Sequence, residues 1–174
     1  MKKIGLVGGT GPESTAIYYK KINERINKIH EGILFPELAK EAKVPLIGIP
    51  ETVAKAAFKK GYRKVGLLGT VFTMEQVFMK KDFWERGIDV VVPCEDDRQV
   101  IHEIIAGELE MGVVKEESVA KLVAIIEKLK KENGIQAIIR GCTELPLALN
   151  SENCPVACLD IMDLHIDRLV ELAR

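Results

Sequence analysis

Apolar positions along the chain alternate between short β-branched runs and longer segments with helical spacing, a rhythm that predicts a parallel sheet with crossover helices. Ile4–Val7 is the first expected strand. A helix opening at Pro12 carries Tyr18, Ile22, Ile26 and Ile29 on one face. Proline suits that position because the first helical amide has no partner to lose. Val44–Ile49 reads as a second strand and Glu51–Lys60 as its helix, ended by Gly61. Val65–Gly69 is a third strand, leading into one helix from Thr73 to Arg86 that stops at Gly87. Asp89–Pro93 is a fourth. Two helices follow, one bearing Val100, Ile101, Ile104 and Ile105, the other Val119, Leu122, Val123, Ile126 and Leu129. Ala137–Ile139 is a strand that runs into Gly141-Cys142-Thr143, Val156–Leu159 is a last short strand, and Ile161–Ala173 is a closing helix. Residues 32–43 break the rhythm, being neither a clean strand nor a full helix.

Three strand-to-helix junctions concentrate the chemistry: Gly8-Gly9-Thr10-Gly11-Pro12, Gly69-Thr70-Val71-Phe72-Thr73 and Gly141-Cys142-Thr143-Glu144-Leu145-Pro146. In a parallel sheet such junctions lie at the carboxyl edge, where open α/β proteins bind ligands. Each offers free amide hydrogens and a positive helix end, a setting for a carboxylate or phosphate. The first loop is a poor dinucleotide fingerprint, because Ser14 stands where the helix-packing glycine belongs and no strand-ending acid follows about twenty residues on. Cys142 follows an apolar strand and precedes a helix, which would lower its pKa and make it a usable base or nucleophile. As a small residue at a strand end it could equally be packing. Thr10, Thr70 and Thr73 read also as helix caps, and Glu144 as a first-turn acid. Arg140 is either a solvated side chain or a guanidinium aimed at a substrate carboxylate.

Composition narrows the function by exclusion. With 174 residues the chain can bury a core without disulfides or a structural metal. Twenty-five basic against 26 acidic side chains leave a formal charge of −1, which gives no footprint for nucleic acid or a membrane surface. No apolar run reaches the roughly 20 residues of a membrane span. The start reads as a strand and not an export signal, so a cytoplasmic location with four reduced cysteines is expected. Cys94, after Pro93, is expected to be structural or incidental; Cys154 and Cys158 have the wrong spacing for a zinc pair. His30 and His102 read as helix-surface residues, and His165 as either cleft-facing or packed.

The segment Ile138-Ile139-Arg140-Gly141-Cys142-Thr143-Glu144-Leu145-Pro146-Leu147 closely resembles the second cysteine signature of the aspartate/glutamate racemase family. Lys3–Pro12 resembles that family's first loop, Lys64–Thr70 with Thr73 its mid-chain carboxylate-binding loop, and Asp160 with His165 its closing segment. The resemblance implies two similar Rossmann-like α/β lobes with parallel sheets and crossover helices: residues 1–61 plus 155–174 would form a discontinuous, incomplete N-terminal lobe and residues 62–154 the second. It further implies cofactor-independent inversion of aspartate or glutamate at the α-carbon. One cysteine would remove the proton and another, from the other lobe, would return one to the opposite face. Cys142 would be one of them, with Gly9, Thr10, Thr70, Thr73, Thr143 and Glu144 binding substrate, no cofactor or metal, and a homodimer as the assembly. The family's first cysteine, in a C-N-T motif, has no counterpart in this sequence, and roughly fifty residues around it are missing by comparison with the usual family length. A dicarboxylate-binding protein without turnover is therefore the alternative, and a related isomerase or decarboxylase using Cys142 a third reading.

Overall fold

In the computed structural model, residues 46–173 are described, and helix α1 (Ile49–Lys59) opens them. The expected strand at Val44–Ile49 does not form across Leu46–Gly48. These residues are used otherwise: Gly48 is the helix N-cap, its carbonyl accepts the Thr52 hydroxyl at 2.8 Å, and Pro50 occupies the first turn. Lys60 then caps the helix and Gly61 turns the chain with φ 77°, a left-handed conformation that glycine adopts without a β-carbon clash.

Four strands follow: β1 (Lys64–Leu68), β2 (Asp89–Val91), β3 (Ala137–Arg140) and β4 (Ala157–Asp160). They form one parallel sheet in the order β2-β1-β3-β4. Leu67, Leu68, Ile138 and Ile139 are almost wholly buried in the two central strands, as expected of strands covered on both faces. Each contributes about 1.5–3 kcal/mol by leaving water. Gln136 ties β1 to β3 at their start, its Oε1 accepting the amides of Arg63 and Lys64 at 2.6 and 3.2 Å.

Between β1 and β2 the single expected helix is two: α2 (Val71–Glu75) and α3 (Phe78–Trp84), separated by Gln76 in extended conformation. Buried Met74, Met79 and Phe83 explain the break. In one continuous helix Met74 would point away from the other two, since its offset from them matches no helical repeat, whereas Met79 and Phe83 are one turn apart. Breaking the helix aims all three at the core. The chain then forms α4 (Glu95–Gly107), a 3₁₀ turn (Leu109–Met111), α5 (Glu116–Asn133), α6 (Leu145–Ala148) and α7 (Ile161–Leu172).

Helix α1 packs against α3 and α7, and α4 against α5. This division follows from handedness: the chain crosses the sheet in opposite directions after β1 and after β2, so right-handed crossovers place their helices on opposite faces. Residues 47–173 belong to one compact unit. The expected lobes divide the chain differently, assigning residues 155–174 with the N-terminal segment. Yet β4 pairs with β3 residue for residue, from Ala137↔Ala157 to Arg140↔Asp160, and so belongs to the same sheet as β1 and β2. Ile4–Val7, the helix at Pro12 and residues 32–43 lie outside the described residues. No described helix is long and apolar enough to cross a membrane.

Candidate active site

Strands β1 and β3 lie side by side, so their loops leave the sheet together at the carboxyl edge. The Gly141 amide donates to the Leu68 carbonyl at 2.7 Å. Two glycines permit this approach. A β-carbon on Gly141 would stand 2.7 Å from that carbonyl oxygen and 2.9 Å from Leu67 Cδ1, and one on Gly69 would stand 2.9 Å from Thr73 Cγ2. The missing side chains let Thr73 come against the loop that carries Cys142.

In the first loop Thr70 caps α2. Its Oγ1 accepts the Thr73 amide at 3.3 Å and lies 3.0 Å from the Thr73 hydroxyl. Both threonines are half-buried, so capping holds their hydroxyls together at the rim. In the second loop the half-buried Cys142 thiol donates to Glu144 Oε2 at 2.7 Å, while the exposed Thr143 hydroxyl donates to Glu144 Oε1 at 2.8 Å. Thiol, hydroxyl and carboxylate thus form one short network. The Leu145 amide reaches back to the Cys142 carbonyl at 3.3 Å, closing the turn.

The electrostatics reverse the sequence expectation for Cys142. Its thiol is pushed up from 9.0 to about 12, first by burial, then by the Glu144 carboxylate that accepts its hydrogen, with a smaller push from Glu110. The expected lowering fails because the helix that follows is a single turn starting three residues later at Leu145. Its dipole is small and is outweighed by a full negative charge in contact with the sulfur. At Glu144 burial raises the carboxyl, but the hydrogen bonds from Cys142 and Thr143 and its own amide prevail, and it lies below the ordinary range. The contact therefore favours the thiol form of Cys142 and the carboxylate form of Glu144.

Arg140 fits neither expectation. Its guanidinium donates to the Leu149 carbonyl at 2.6 Å and pairs with Asp160 at 3.2 Å, where both side chains are largely buried. Asp160 also caps α7, accepting the amides of Met162 and Asp163 at 2.8 and 2.9 Å. This pair clamps both ends of the loop between β3 and the Asn150 turn, with Cys142 inside it. His165 meets the Ile47 carbonyl at 3.0 Å, which gives the ring a packing role. His102, expected on a helix surface, is half-buried with Nδ1 enclosed. Cys94 is an exposed N-cap of α4, its sulfur 3.1 Å from Asp97 Oδ2 and 3.6 Å from Lys128 Nζ. Gly9 and Thr10 lie outside the described residues. Sequence reasoning missed the Arg140–Asp160 contact, which only the β3–β4 register reveals.

The chain is an α/β protein with a parallel sheet whose adjoining carboxyl-edge loops present a thiol, a carboxylate and threonine hydroxyls, the edge at which open α/β proteins take their ligands. The profile of the Asp/Glu/Hydantoin racemase family matches residues 27–169, and the chain belongs to that family. It is similar to a glutamate racemase of Thermus thermophilus, with 32% identity covering 74% of this chain and 46% of the relative. Among solved structures it is similar to an aspartate racemase homologue from Pyrococcus horikoshii, with a TM-score of 0.77 and 38% identity covering 83% of this chain and 63% of that one. An aspartate racemase from Picrophilus torridus, 20% identical with a TM-score of 0.60 over 75% of this chain and 54% of its own, shares the fold. The chain thus spans about half the length of the curated glutamate racemases it matches.

Proposed function

We propose that this chain acts on the α-carbon of an acidic amino acid, aspartate or glutamate, with Cys142 as an acid/base group and no cofactor. The observation that carries the reading is the 2.7 Å contact between Cys142 and Glu144, in a chain of the racemase family. A thiol that rests protonated can hand its hydrogen directly to a carbanion-like centre. In the reverse sense the thiol first gives up its proton, and the thiolate removes the α-hydrogen. The Glu144 carboxylate makes the rim anionic, which favours the ammonium group of an amino acid. The substrate carboxylates would be met by the hydroxyls of Thr70, Thr73 and Thr143, with loop amides beside them.

The test is solvent deuterium incorporation at the α-carbon of aspartate and glutamate. The parent chain should exchange, and Cys142→Ala should not. Exchange at the parent rate in the alanine variant refutes the role of Cys142. A second reading, dicarboxylate binding without turnover, is favoured by the absence of a C-N-T motif among the four cysteines. Inversion needs a second acid on the opposite face, so one thiol alone exchanges with retention. Chiral chromatography after a long incubation separates the two readings, because accumulation of the opposite enantiomer eliminates the binding-only one. A homodimer in the cytoplasm completes the proposal, and sedimentation with cell fractionation tests it.

A further inference from the structure

Cys154 and Cys158 take no part in the proposed chemistry, yet the loop before β4 is built around them. Asn150 organises it: its Oδ1 accepts the amides of Glu152 and Asn153 at 2.8 and 3.2 Å, and its own amide donates to Asn153 Oδ1 at 2.9 Å. Asn153 Nδ2 donates to the Ala148 carbonyl at 2.8 Å, and Lys130 pins the Pro155 carbonyl at 2.9 Å. The Asn150 carbonyl then gathers both cysteines, accepting the Cys154 amide at 3.1 Å and the Cys158 thiol at 3.8 Å. The two thiols lie close enough for each to shift the other's ionisation. Both are free and half-buried.

We propose that Cys154 and Cys158 are a redox-active dithiol, a modification site at which a peroxide closes an internal disulfide. The inference stands apart from the racemase reading and survives its failure. Charge supports it. The pair gives up its first proton more readily than a free thiol, because the Cys158 S–H stabilises a Cys154 thiolate, with the Val156 amide and the Arg140 guanidinium adding to this against the cost of burial. The second proton, on Cys158, is held back by that neighbouring thiolate and by burial. The Asn150 carbonyl holds the Cys158 thiol, which leaves Cys154 as the attacking sulfur and Cys158 as the resolving one. The Cys154 thiolate displaces hydroxide from hydrogen peroxide, breaking the O–O bond and becoming a sulfenic acid; the hydroxide is protonated to water. The Cys158 sulfur then attacks the sulfenic sulfur, its hydrogen leaves with the hydroxyl as a second water, and the S–S bond forms. Two thiols are oxidised and one peroxide is reduced.

The full chain is treated with hydrogen peroxide, residual thiols are blocked with N-ethylmaleimide, and the unreduced protein is cleaved after glutamate. Cleavage after Glu144 and Glu152 separates Cys142 from the pair. The expected product is a peptide carrying Cys154 and Cys158, lighter by two hydrogens and unalkylated until a reductant is added. Cys158→Ser should accumulate a dimedone-reactive sulfenic acid at Cys154, and Cys154→Ser should slow peroxide reaction at the site about tenfold. The proposal is overturned if both cysteines remain alkylatable after peroxide treatment. It is equally overturned if the disulfide joins two chains, or if Cys94 or Cys142 is oxidised first. The wild-type peptide map decides the matter even where a serine variant folds poorly.

Discussion

Replacing Glu144 with glutamine should lower the Cys142 pKa by roughly one unit. The carboxylate contributes a charge 2.7 Å from the sulfur and an acceptor that stabilises the thiol form. Two like charges at that separation repel by about 1.5 kcal/mol even at the dielectric constant of water, equivalent to roughly one pKa unit. The full rise from 9.0 to about 12 sets the upper limit, and burial, its leading cause, persists in the variant. Glutamine keeps the length and one acceptor oxygen, so the contact with Thr143 survives while the charge is lost. The assay is the rate of iodoacetamide alkylation against pH in a background where Cys94, Cys154 and Cys158 are serine. Alkylation follows the thiolate, so well below the thiol's own value the variant should react about tenfold faster. An equal or slower rate would show that Glu144 does not govern the thiol and that burial alone holds its proton.

Three further outcomes follow from the same geometry. Because the folded Cys142 ionises at about 12 instead of 9.0, its contribution to stability is fully present below 9.0 and is lost as pH climbs towards 12; Cys142→Ala should flatten that alkaline decline in urea unfolding, and parallel declines would refute the assignment. Asp160→Asn keeps a capping oxygen but leaves Arg140 buried without its counter-charge, which should cost about 3 kcal/mol by denaturant unfolding; a loss under about 1 kcal/mol, in the range of an exposed pair, would mean that the pair is effectively solvated. Gly141→Ala forces a β-carbon to 2.7 Å from the Leu68 carbonyl, for about 1–3 kcal/mol of overpacking; unchanged stability together with unchanged α-proton exchange would mean that the loop yields without cost.

Much of the sheet is legible in the sequence because its signals are local. β-Branched runs bounded by Gly61, Gly87 and Gly134 need no knowledge of partners, and β1, β3 and their loops stand within a residue or two of expectation. The failures share a cause. Helical spacing over Thr73–Arg86 holds in each half, but the break at Gln76 is imposed by which residues must reach the core. Leu46–Ile49 is apolar enough for a strand, yet Gly48 and Pro50 cap a helix there. Within the site, the carboxyl-edge position of the Thr70 and Cys142 loops is legible, whereas their adjacency comes from the β1–β3 pairing and the state of the thiol from Glu144 and burial. Cys142 before a helix promises an acidified sulfur only if that helix is long and the neighbouring acid points elsewhere. Neither condition is written in the Cys-Thr-Glu string.

The hydrogen bond from Gly141 to Leu68 joins loops whose strands are stitched together across 73 residues of chain by Gln136 and Arg63. Closing a loop of that length costs about 4 kcal/mol in chain entropy, so no local fluctuation assembles this corner of the molecule and none dismantles it piecemeal. The Gly141 amide should consequently exchange with solvent only when the whole sheet comes apart. The arrangement of the site and the fold of the sheet would then be lost together, in a single transition.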